Sequence, residues 1–215
     1  MKIVRSVREF FSHVRFLFPL KKIKIEELES DFSSEVIEYI RSYLGNGSKY
    51  FEFGAGASTI ICKKMGAEIF STETDQRYIE AFKGVNHVQF VNPLGGKIGP
   101  WGTLIFQPWR KKERISGFNY ATMIWQKFSK LQPNLVLIDG RYRLACALEI
   151  IRRFPGHNFP VIIDDYVGRS EYKTLEKYVN EVTQISRAGV FSPNKADINM
   201  EELRLDLEKA YFDSR

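Results

Sequence analysis

At 215 residues, with 44% hydrophobic and 27% charged side chains, the chain has the make-up of one soluble globular domain with a sizeable core, with or without an N-terminal appendage. Its two cysteines, Cys62 and Cys146, have no paired spacing, which excludes a disulfide framework and a cysteine zinc site; both read as buried helix residues. The formal charge of +6 lies wholly in residues 1–24, where seven Lys/Arg face the single acid Glu9. The body is therefore neutral and lacks the basic surplus that a nucleic-acid enzyme carries around its cleft, so no nucleic-acid partner is expected.

Residues 1–24 form a basic arm, and 25–215 the domain. In the arm, Val4, Val7, Phe10, Phe11, Val14, Leu17 and Phe18 recur at helical spacing, and Pro19 ends the run. Such a helix packs on the body, packs on a second copy, or lies as a basic amphipathic helix on an anionic membrane surface. Charges interrupt every window well short of the ~20 apolar residues of a membrane span. Arg8, Glu9 and Arg15 also break any signal-peptide core. The expectation is a cytoplasmic protein, with peripheral membrane contact through residues 1–24 as the sharper alternative. Next, residues 25–47 hold a helix or helix pair capped by Asp31, Ser33 or Ser34 and stopped by Gly45-Asn46-Gly47.

The stretch "KYFEFGAGASTIICKKMGAEIFSTETD" (49–75) then reads as strand, glycine turn, helix and second strand. Tyr50–Phe53 is the strand, residues 54–59 the turn, and Thr59–Met65 the start of the helix. Glycines let a ligand approach the main chain, and a helix start offers free N–H groups. The dinucleotide pattern G-x-G-x-x-G fails, because its third glycine position is Thr59. A tight turn with no ligand is the plain alternative. The second strand, Glu68–Thr72, ends at Glu73, where an acid can accept hydrogen bonds from ribose hydroxyls. Asp75 fits as N-cap of a helix over Gln76–Lys83.

On these residues the chain resembles the class I S-adenosylmethionine-dependent methyltransferases: "EFGAGAST" looks like their first motif and "STETD" like their acidic second-strand motif. The resemblance implies S-adenosylmethionine as cofactor. Gly54, Gly56 and Ser58 would line its amino-acid end, Glu52 would order its methionine amino group, and Glu73 would hold the ribose. It also implies a Rossmann-like α/β fold, a doubly wound, mostly parallel sheet with an antiparallel C-terminal strand.

Further along, Val88–Val91 is a third strand, and Leu135–Ile138 and Val161–Ile163 are apolar runs suited to parallel strands buried on both faces. Helices are expected over Tyr142–Arg152 and Glu171–Val179, which alternates strand and helix as a parallel sheet requires. Asp139, Asp164 and Asp165 end two strands expected to be neighbours, and three like charges there require neutralisation. Pairing with Arg141, Arg143 or Arg169, a magnesium ion, and a cationic substrate all satisfy that need, and Asp139 or Asp165 can instead serve as a general base. Methyltransferases resembling catechol O-methyltransferase hold a metal at this place with an Asp and an Asp-Asn pair. In "VIIDDYV" Asp165 falls on the family's Asp and Tyr166 where Asn is expected. The "IDGR" phrase, with "WG" in the insert, also resembles a bacterial branch of the same superfamily.

Residues 93–125 read as a long insert containing all three tryptophans, Trp101, Trp109 and Trp125. It forms either an aromatic flap over the cofactor and substrate or a satellite apolar cluster; "RKKER" (110–114) reads as a solvated loop face. His13, His87 and His157 have no metal-ligand spacing, and none is expected to be catalytic. The tail fits an antiparallel strand pair and a helix from about Met200. The reading is methyl transfer to an oxygen, or less readily a nitrogen, of a small-molecule acceptor. Asp139 and Asp165 would be bases and Arg141 would position the substrate, with Asp139 also bordering the cofactor. A sugar-nucleotide enzyme and a non-catalytic module of the same fold are the rivals.

Overall fold

The computed structural model describes residues 22–93 and 110–213. The basic arm up to Lys21, together with Trp101 and Trp109 of the insert, lies outside the described residues. The strands are β1 (Lys49–Phe53), β2 (Glu68–Thr72), β3 (Val88–Val91), β4 (Leu135–Ile138), β5 (Val161–Ile163), β6 (Thr183–Ile185) and β7 (Ala188–Phe191). The α-helices are α1 (Ser34–Tyr43), α2 (Ala57–Lys64), α3 (Gln76–Ala81), α4 (Arg110–Lys127), α5 (Arg143–Arg153) and α6 (Met200–Ala210). One seven-stranded sheet has the order β3-β2-β1-β4-β5-β7-β6. β1 to β5 pair in parallel, and β7 runs antiparallel to both β5 and β6. The doubly wound sheet with its antiparallel ending is the one expected.

Side-chain alternation divides the core into two layers. Phe51, Phe53, Val136, Ile138, Val161 and Ile163 join α4, α5 and α6 on one face. Tyr50, Leu135, Leu137 and Ile162 join α1 and α2 on the other. Strands buried on both faces must be apolar throughout, which is why β4 and β5 read as unbroken runs. Caps fall where short polar side chains precede the helices. Ser33 Oγ accepts from Val36 N, and Asp75 accepts from Arg77 N.

Two elements differ from expectation. The expected helix over 171–179 is a 3-10 helix, Ser170–Lys177. Its region buries Tyr172, Leu175 and Tyr178, a spacing of three that matches three residues per turn. The insert contains α4, an 18-residue helix that begins in the basic run read as loop. Tyr120, Ala121, Ile124 and Trp125 bury one helical face of it, and Phe128 is buried just past its end. Trp125 stacks on Phe51, with ring centroids 5.0 Å apart, and so belongs to the core and not to a flap. Among the described residues no helix is long and apolar enough to cross a membrane.

β1 and β4 lie side by side, yet α2 covers one face and α5 the other. A crevice opens at the carboxyl ends of strands whose connections diverge in this way. Here the main chains close up. Gly54 has φ +102°, and a Cβ on it would meet Gly140 N and Cα at 2.9 Å. A Cβ on Gly140 would overlap Tyr120 Oη. Gly54→Ala combines left-handed strain with a backbone clash and is expected to destabilise the fold by about 2–4 kcal/mol, read as a lower urea midpoint. Gly45→Ala, where a Cβ meets open space, is expected to stay within about 1 kcal/mol of the parent.

Candidate functional site

The glycine turn is held from below. Glu52 is fully buried between β1 and α2. Its Oε1 accepts from Thr59 Oγ1 at 2.6 Å and its Oε2 from Ser58 Oγ at 3.0 Å. Thr59 Oγ1 in turn accepts from Gly56 N at 3.0 Å. A hydrogen-bonded chain therefore runs from the turn's backbone to a buried carboxyl. Among the described residues, Tyr50 Oη and Ser71 Oγ are buried with no hydrogen-bond partner. Burial, opposed by the Thr59 and Ser58 hydroxyls, pushes Glu52 up to about 7. With both oxygens engaged and no exposed surface, Glu52 braces the turn and offers no surface of its own.

Glu73 holds the turn from the side. It lies at the tip of β2 and is 7% exposed. Its Oε1 accepts from Thr74 N at 2.6 Å and Asp75 N at 2.7 Å, while Oε2 accepts from Ala55 N at 2.9 Å. One carboxylate thus ties the β2 tip to the β1 turn. Burial raises its pKa, and the three backbone N–H groups oppose the rise. A carboxylate oxygen has two lone pairs, so Oε2 keeps one for a further donor. Gly56 is uncrowded: a Cβ placed on it would meet no atom of the described residues within 4 Å.

The second half of the site lies over β4, β5 and the β6–β7 turn. Asp164 is buried, and Arg187 grips it through Nε and Nη2, both at 2.9 Å. Asp165 has a left-handed backbone, φ +52°, a conformation that carries strain in a non-glycine residue. Its carboxylate meets Arg143 and Arg169 at 3.2 Å and Arg187 at 3.3 Å. Arg143 also pairs with Asp139 at 3.4 Å. Asp139 is half-buried. Burial first, then the charge of Asp164, pushes it up to about 7, against the pull of Arg143. Arg141 donates its backbone N–H to Tyr120 Oη at 3.2 Å.

All the expected site residues come to the carboxyl edge of the sheet, in two groups. Glu52, Gly54, Gly56, Ser58 and Glu73 gather at β1 and β2; Asp139, Arg141 and Asp165 gather at β4 and β5. Pairing with arginine neutralises the acids, through Arg143 and Arg169 as expected. Arg187 was not anticipated. Its only signal was a lone arginine at a hairpin turn. Tyr120 and Thr59 were also missed as site residues. His157 packs its ring on Phe154, 5.6 Å away, well outside the cluster.

Among the described residues no three His, Cys, Asp or Glu side chains are disposed to hold a metal ion. Tyr166, where the metal pattern wants an amide oxygen, stacks its ring on Tyr172, 5.3 Å and 7° apart. With each acid already on a guanidinium, this donor set does not fit magnesium.

The chain resembles a solved structure of a methyltransferase-like protein from Silicibacter pomeroyi, with TM-score 0.71 and 22% sequence identity over 86% of this chain and 98% of that one. No family model matches the sequence, and no curated protein matches it. Together with the observed strand order, the likeness establishes the class I methyltransferase fold.

A carboxyl raised from 4.5 to about 7 has a definite pH signature. Its contribution to stability is fully present below pH 4.5 and is lost as pH rises through about 7, where the buried group must ionise. Glu52→Gln keeps the shape without titrating. Urea unfolding is expected to show the variant more stable than the parent at pH 8, by up to about 3 kcal/mol, and near parity at pH 4.5.

Proposed function

We propose that this chain binds S-adenosylmethionine at the carboxyl ends of β1 and β2 and methylates an oxygen, less readily a nitrogen, of a small molecule seated over β4 and β5. The observation that carries the reading is the turn itself. Among the described residues nothing crowds a Cβ placed on Gly56, while the Glu73 carboxylate, joined to Ala55 N, keeps one lone pair on Oε2. That combination suits a ribose hydroxyl beside a close-approaching backbone, so the residues fit the cofactor.

When bound, the cofactor supplies a methyl group on a positively charged sulfur that needs no further activation. The protein's work is then alignment and proton removal. Gly54, Gly56 and Ser58 shape the amino-acid end of the cradle, with Glu52 fixing the turn through Thr59 and Ser58. Glu73 orients the ribose. Asp139 borders both halves and, with a pKa near neutrality, is suited to accept the acceptor's proton. Asp165 shares its arginines and supports that role, and Arg141 positions the acceptor.

Calorimetric titration with S-adenosylmethionine, S-adenosylhomocysteine and NAD tests the cradle. Micromolar binding of the first two, none of NAD, and at least a tenfold loss in Glu73→Ala are expected; a folded protein that binds neither sulfur compound contradicts the reading. Once an acceptor is found, kcat is expected to rise with pH to a plateau above about 7, as Asp139 loses its proton. In Asp139→Asn that rise is expected to vanish with a loss of about 100-fold. A pH limb retained in the variant would assign the base elsewhere.

A further inference from the structure

Helix α4 meets the loop that leaves β4 along one of its faces. Gly117 and Tyr120, three residues apart on that face, both border residues 140–142. A Cβ on Gly117 would lie 2.9 Å from Tyr142 Cδ1, and the rings of Tyr120 and Tyr142 are 5.7 Å apart. Tyr120 also reaches the end of β1, where its ring lies 6.0 Å from that of Phe53. Its hydroxyl ends between the two loops: a Cβ on Gly140 would overlap Tyr120 Oη and lie 2.8 Å from Phe53 O.

The polar groups of the loop's backbone are tied down one after another. Asp139 N donates to Phe53 O at 3.0 Å. The carbonyls of Asp139 and Gly140 accept from Arg143 at 3.1 and 3.0 Å, and that of Tyr142 accepts from Cys146 N at 2.9 Å. Those ties come from the neighbouring strand or from α5, the loop's own continuation. Arg141 N instead donates to Tyr120 Oη at 3.2 Å, a side chain from the insert and 21 residues away in the chain. The next residue, Tyr142, is 3% exposed and left-handed, with φ +52°. A strained backbone of that kind persists only where its surroundings fix it.

We infer that Tyr120 is a positioning residue for the acceptor half of the site: by accepting from Arg141 N and filling the space over Gly140, it sets where the loop after β4 carries Arg141. The inference rests on the proposed methyl transfer, in which Arg141 positions the acceptor, and it gives the insert helix a part in that reaction. The hydroxyl is a fixed point, because its ring is 2% exposed and Trp125 of the same helix stacks on Phe51. Phenylalanine at 120 would keep the ring packing and leave a backbone N–H without its acceptor.

The test compares the full chain with Tyr120→Phe and with Trp125→Phe, a packing change on the same helix. Hydrogen exchange and NMR follow all three, with melting temperatures confirming that they fold. In the parent the Arg141 amide is expected to exchange as slowly as that of Asp139. In Tyr120→Phe it is expected to exchange about tenfold faster while the Asp139 amide stays slow. The Arg141 Nε–H signal is expected to lose heteronuclear Overhauser enhancement, and the Tyr142 Cα and Cβ shifts to leave the left-handed range. Affinity for S-adenosylhomocysteine is expected to stay within about twofold, because the Glu73 clamp is untouched. Trp125→Phe is expected to leave the Arg141 signals unchanged. A fast Arg141 amide in the parent, unmoved Arg141 signals in Tyr120→Phe, or the same changes in Trp125→Phe would overturn the inference. A parallel loss of S-adenosylhomocysteine affinity in Tyr120→Phe would overturn the assignment to the acceptor half. Should Tyr120→Phe not fold, 3-fluorotyrosine incorporated into the parent weakens the phenol oxygen as acceptor; an upfield shift of the Arg141 amide is expected, and an unmoved amide overturns the inference. Failure of S-adenosylhomocysteine to bind the parent would instead overturn the methyl-transfer reading and, with it, the part of Tyr120 in the reaction.

Discussion

The contact between Gly54 and Gly140 organises the site. A Cβ at Gly54 would lie 2.9 Å from the Gly140 main chain, so the loops leaving β1 and β4 can pass at this distance only as glycines. That approach brings the Glu73 clamp at Ala55 and the acid-arginine rim at Asp139 to one edge of the sheet. It also seats Tyr120 Oη against Gly140, where the same oxygen accepts from Arg141 N. The long helix from the insert thereby touches the site through a buried tyrosine.

Burial gives the carboxyl groups different tasks. Glu52 and Asp139 are both pushed to about 7, but the surroundings differ. Glu52 is sealed under hydroxyls and can only brace the turn. Asp139 is half-buried beside charged partners, which is the surrounding the proposed base needs. Asp164 is held in a two-pronged ion pair and serves as an anchor for the hairpin turn that carries Arg187. Similar acids are thus sealed, half-exposed or tightly paired according to their surroundings, and the proposed function gives the half-exposed one the part of base.

The parallel part of the sheet was legible because strands buried on both faces must be apolar, and Leu135–Ile138 and Val161–Ile163 are. The Asp75 cap was legible because its chemistry is local. Long-range chemistry was not. Nothing near Arg187 marks it as a partner of Asp164, 23 residues away, because only antiparallel pairing of β7 on β5 brings them together. The clamp from Glu73 to Ala55 spans 18 residues and depends on parallel pairing of β1 and β2. Helix α4 was hidden by a basic start and by Gly117, a residue that closes tightly on the Tyr211 carbonyl. The 3-10 helix has a spacing of three that also suits one side of an α-helix, so only packing could distinguish them.

The central claim is that the turn after β1 is a cofactor cradle closed by Glu73. The most direct measurement is a map of backbone amide shifts on adding S-adenosylhomocysteine. The expected result is that the largest shifts fall on Ala55, Gly56, Thr74 and Asp75, with smaller ones at Gly140 and Arg141. Saturating ligand that leaves those amides unmoved, or moves only amides distant from the carboxyl edge of the sheet, would contradict it.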